Sequence, residues 1–93
     1  MVVGVIAWEL EIFGAQSLKE KRSVVKSLKD RLHERFNASV AETAYQDKWQ
    51  KAELTAGVVA SERRHAEQVL ESLDRFVAGD PRARISDSYR TFY

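Results

Sequence analysis

The chain alternates between two-residue and helical spacing of apolar positions. Over residues 2–13 one parity is Val2, Gly4, Ile6, Trp8, Leu10 and Ile12, and the other is Val3, Val5, Ala7, Glu9 and Glu11. Period-two alternation with β-branched and aromatic residues predicts a long strand. Gly14-Ala15-Gln16 is a short connection. From 18 to 36 the spacing changes, and Leu18, Val24, Val25, Leu28, Leu32 and Phe36 gather on one helical stripe. Ser17 stands at the N-cap position with Glu20 three residues on, a capping box, and Asn37 is a natural stop. Residues 38–45 and 51–60 read as two strands around the polar loop Gln46-Asp47-Lys48-Trp49-Gln50. Ser61 is placed to cap a second helix, 62–78, with the stripe Ala66, Val69, Leu70, Leu73, Phe76 and Val77. Gly79-Asp80-Pro81 ends it. Residues 83–90 form a weaker last strand, with Ile85 and Tyr89 on one parity. The order is β-α-β-β-α-β, which predicts a ferredoxin-like α+β fold over residues 1–93: a four-stranded antiparallel sheet with two helices on one face and the first and third strands central.

The parity from Val2 to Ile12 should face the helices, so Val3, Val5 and Ala7 should lie on the open face. Val59, on the neighbouring strand, falls near Val3. One end of that face is therefore apolar. Either long side chains or the terminus cover it, or Val3, Val5 and Val59 form a homodimer contact, the usual meaning of a contiguous exposed apolar patch.

Composition narrows the function classes. With 93 residues there is room for one domain. No Cys is present, which excludes disulfides, zinc fingers, iron–sulfur clusters and thiol catalysis. No apolar run is long enough to span a bilayer, and the first residues make a poor signal peptide, so a cytoplasmic location without membrane attachment is expected. His33 and His65 fall on different helices without ligand spacing, so neither a metal nor a cofactor is expected.

The net charge of +1 hides an asymmetry. Residues 17–36 hold seven basic and three acidic side chains, whereas 61–80 hold three basic and five acidic. Lys19, Arg22, Lys26, Lys29 and His33 follow a 3-4-3-4 spacing, a stripe about 80° wide beside the apolar one. Aligned cations can neutralise successive phosphates, or can simply solvate a helix face. Lys21 falls near the centre of the apolar stripe, where it must either snorkel past the sheet end or meet a carboxylate. Trp49, in its polar loop, can stack on a base, grip a partner, or fold back as a lid over the core. The sequence holds no P-loop, GxGxxG, G-x-S-x-G or GxxG clamp, and the third strand has no base-stacking aromatics. Glu9 and Glu11 share a strand face without any supporting pattern. An enzyme is therefore disfavoured, with a pocket near Lys21 as the residual option.

Four segments together carry a resemblance: Val5-Ile6-Ala7-Trp8-Glu9-Leu10, Ser17-Leu18-Lys19-Glu20-Lys21-Arg22, Phe36-Asn37-Ala38-Ser39-Val40-Ala41-Glu42 and Gln46-Asp47-Lys48-Trp49-Gln50. The chain resembles the YlxP-like family, a bacterial domain of unknown function, over essentially its whole length. The resemblance implies a small cytoplasmic ferredoxin-like protein, encoded among translation-initiation and ribosome-maturation genes, and hence an RNA or ribosomal partner. It implies no activity and no catalytic residue. The first expectation is a non-enzymatic module that binds RNA through Lys19, Arg22, Lys26 and Lys29, with Trp49 stacking. The alternative is a dimeric protein-interaction module that binds no nucleic acid.

Overall fold

Ten consecutive residues form β1 (Val2–Glu11), the strand around which the sheet is built. In the computed structural model, which describes residues 1–93, α1 (Leu18–Phe36), β2 (Ser39–Ala44), β3 (Lys51–Ala60), α2 (Arg63–Ala78) and β4 (Arg84–Phe92) follow. The sheet is antiparallel in the order β2-β3-β1-β4. This is the ferredoxin-like arrangement the pattern predicts, with β1 and β3 central. β1 stops at Glu11, but the apolar parity continues to a buried Ile12, whose N–H donates to Gln50 O at 2.9 Å.

Both helices lie on one side of the sheet. Their apolar stripes and the inward parities of β1 and β3 make a single core of Ile6, Trp8, Leu10, Leu54, Leu28, Leu32, Leu70, Leu73 and Val77. Phe76 and Phe36 close its far end edge to face, their centroids 5.6 Å apart. Trp8 is fully buried, and its indole N–H donates to Asp74 Oδ1 at 2.9 Å, which satisfies the one polar atom it takes inside.

The helix starts differ. Ser17 Oγ accepts from Glu20 N at 3.1 Å, as a capping box requires. Glu20 reaches back one residue further than expected, to Gln16 N at 2.7 Å. α1 ends at Asn37, in the left-handed conformation at φ 52° and ψ 40°. For α2 the expected Ser61 cap is replaced by Glu62, whose side chain makes no capping bond. Its longer side chain is poorly suited to fold back onto its own first turn.

The last strand departs from simple alternation. Leu10 pairs with Ile85 and Glu9 with Asp87, so Ser86 is an extra residue in a β-bulge. Ser86 Oγ donates to Glu9 O at 3.1 Å. The bulge separates two residues that the sequence places on one face: Ile85 packs on the core, while Tyr89, paired with Ala7, faces out.

Candidate nucleic-acid and partner interfaces

α1 packs over β2 and against α2, and its buried residues are Lys21, Val25, Leu28 and Leu32. The stripe of Lys19, Arg22, Lys26 and Lys29 therefore runs along the outer edge of the helix, on the side of the edge strand β2. Lys29 and His33 line a shallow hollow with Ser39 and Val40 there. His33 Nδ1 lies 2.9 Å from Ala38 O, so its Nδ1–H tautomer donates to the backbone. Within the stripe Lys26 is bonded to Asp30 at 2.6 Å, while Lys19, Arg22 and Lys29 have no carboxylate partner. The Lys26–Asp30 hydrogen bond holds the ammonium above its ordinary pKa and the carboxyl below its own.

Lys21 settles the oddity of a lysine on an apolar stripe. It is fully buried, and its Nζ donates to Glu42 Oε2 at 2.6 Å and to Tyr45 O at 2.7 Å. It meets a carboxylate rather than snorkelling. Glu42 lies on the inward parity of β2, and Tyr45 has a positive φ of 63° that aims its carbonyl at the ammonium. The loop after β2 is therefore fastened to the first turn of α1. Gln50 Nε2 adds a second tie, donating to Ala15 O at 3.0 Å.

Those ties hold Trp49 out. It is 54% exposed and forms no lid on the core. It borders an open groove of about 810 Å³ together with Phe13, Lys48, Gln50, Lys51, Glu9 and Glu11. Glu9 pairs with Lys51 at 2.7 Å and Glu11 with Arg84, both in solvent-exposed ion pairs. The hydrogen bond from Lys51 to Glu9 raises the lysine pKa. Lys51 also lies 4.4 Å from the Tyr45 ring, and Arg84 lies 5.5 Å from Phe13.

The sheet face opposite the helices is bare and divided. Its charged half holds the two ion pairs of Glu9 and Glu11. The other half has Val3 opposite Val59, Val5 opposite Gly57, and Ala7 between Thr55 and Tyr89. Val59 is 73% exposed and Tyr93, bonded through its backbone to Val3, is 76% exposed. Val3 and Val5 are half-buried. Ala7, on the same face, is buried. Tyr89 and Tyr93 extend the patch beyond the three valines read from the sequence, and the β4 bulge had hidden their facing.

No helix is long and apolar enough to cross a membrane, and no three His, Asp or Glu side chains stand together as a metal site would need.

The model of a family described as a protein of unknown function (DUF503) matches residues 3–90. The chain belongs to that family. It is 36% identical over 80 residues to the uncharacterized protein YlxP of Bacillus subtilis (strain 168), an alignment covering 86% of this chain and 87% of that protein. Among solved structures, a de novo designed protein with a ferredoxin fold superposes with a TM-score of 0.50 at 20% identity, covering 99% of this chain and 84% of that one. SnoaB, a cofactor-independent oxygenase from Streptomyces nogalater, superposes as a mutant with a TM-score of 0.50 at 12% identity, covering 99% and 90%. At such identities the likeness is one of fold alone.

Proposed function

We propose that this DUF503 protein is a non-enzymatic cytoplasmic module that binds RNA, of ribosomal or related origin, along the outer edge of α1. The observation that carries the reading is the row Lys19, Arg22 and Lys29, free of carboxylate partners, beginning where the Trp49 loop is tied to the helix. The row would take successive phosphates, and the exposed indole would stack on an unpaired base. The non-enzymatic part rests on Lys21, the one buried group that could do chemistry, which is held in an ion pair with Glu42.

A filter-binding titration against ribosomal RNA fragments at 50 and 200 mM salt tests the reading. Three single-strand phosphate contacts at about −0.7 each give a log–log slope near −2, roughly a 16-fold loss of affinity over that range. Lys29→Ala should make the slope shallower by about 0.7. Trp49→Ala should cost about 1–3 kcal/mol of affinity and leave the slope unchanged. Equal affinity at both salts, or none at either, would sink the RNA reading. It would favour a protein-interaction module, the second reading, for which the bare sheet face speaks.

A further inference from the structure

We infer that the arginine-lined hollow where the second half of α1 and the end of α2 meet the turn before β4 binds a phosphate group of two or more charges, as in a phosphomonoester or a diphosphate. The inference is independent of RNA binding along the outer edge of α1. Arg31 and Arg35 face α2, about 120° or more round the helix from Lys19, Arg22 and Lys29.

Three observations carry it. First, the cations converge and most are unpaired. Arg31, Arg75 and Arg82 line a hollow of about 580 Å³ beside Phe76, and the Arg35 guanidinium lies 5.5 Å from the same ring. Arg82 alone of the four has an ion pair, with Asp80. Glu34 borders Arg31 and Arg35, so four guanidiniums face two carboxylates, a net of +2. Second, the fold itself does not use these cations. Helix C-termini favour positive charge, yet no side chain of Arg31, Arg35 or Arg75 donates to a helix-end carbonyl. Arg75 has only a long bond to Ser72 Oγ, at 3.5 Å. Like charges gathered in one hollow repel, and an anion between them removes that cost. Third, one fork is already fixed. Arg82 donates from Nε to Asp80 Oδ1 at 3.0 Å and from Nη2 to Asp80 Oδ2 at 2.7 Å and Ser27 Oγ at 3.2 Å. Its Nη1 makes no hydrogen bond and is left to donate.

The ligand chemistry follows from that arrangement. A guanidinium is a planar fork of donors that matches phosphate oxygens. Forks converging on one hollow suit a single centre with several oxygens, whereas the carboxylates of an acidic peptide are strung out along a chain. The net of +2 matches a terminal phosphoryl dianion better than the singly charged phosphodiester inside a nucleic-acid strand.

Titration calorimetry of the full chain at low salt tests this in two arms. One uses inorganic pyrophosphate. The other compares an oligoribonucleotide carrying a terminal phosphate with the same strand ending in a hydroxyl. Saturable pyrophosphate binding assigns the site to a free phosphorylated ligand, and a preference for the phosphorylated strand alone assigns it to a strand end; either supports the inference. Arg31→Gln and Arg75→Gln should each weaken that binding about tenfold, the effect of losing one charge-assisted hydrogen bond. Arg64→Gln, at the opposite end of α2 and also unpaired, should leave it unchanged. All three residues are exposed and in no ion pair, so circular dichroism should show the variants folded. No binding in either arm overturns the inference. So does binding that survives both Arg31→Gln and Arg75→Gln, or that Arg64→Gln weakens equally, since the effect is then one of diffuse charge.

Discussion

At the scale of single residues Lys21 governs more than its own position. A buried ammonium is tolerated because Glu42 and the Tyr45 carbonyl both accept from it. Removing one partner leaves the other charge buried and uncompensated. Glu42→Leu should cost about 3–5 kcal/mol in urea unfolding. Replacing both, Lys21→Met with Glu42→Leu, should recover most of that loss, because a well-packed apolar pair often matches a buried ion pair. If the double replacement is as unstable as Glu42→Leu alone, the pair is not what fixes this site. The interaction was half legible in the sequence. Helical phase alone placed Lys21 on the core side. Its partner lies twenty-one residues away, on a strand whose inward parity carries Val40 beside it, so nothing local named Glu42.

At the scale of elements, the bounds of α1 were legible because its cap, stripe and stop all agree. α2 was legible in its stripe but not in its start. Glu62 holds the extended cap conformation, φ −146° and ψ 158°, without the side-chain bond that a shorter acid makes. Glu62→Asp should therefore stabilise the protein by about 0.5–1 kcal/mol. That would raise the melting temperature by roughly 2–8 °C for a domain of this size. An unchanged or lower value in a calorimetric scan would show that the first turn of α2 gains nothing from a side-chain cap. β4 was the least legible element, because alternation is readable only where the pairing is regular and Ser86 interrupts it. That single residue concealed which tyrosines face out.

At the scale of the whole molecule, two helices and one sheet share one core and leave one face bare. With a single core there is nothing to unfold separately. Leu28, fully buried where α1 meets the sheet, should cost about 2–5 kcal/mol as Leu28→Ala. In a Trp49→Phe background the emission of Trp8 and the far-ultraviolet circular dichroism should lose their signals at the same urea concentration, as two-state unfolding requires. Transitions that separate would mean that α1 detaches before the sheet opens. The two tryptophans divide the molecule the same way, one sealed at its centre and the other held out at its rim.

The extra residue in β4 also bears on how such a chain can change length. The pairs on either side of it, Leu10 with Ile85 and Glu9 with Asp87, are already those of an uninterrupted ladder once Ser86 is skipped. A descendant that lost this one codon would keep every later side chain on its present face. An insertion or loss one step away in β1 would instead turn the rest of that strand inside out. The bulge is thus a place in the sheet where evolution can add or drop a residue without rewriting the fold.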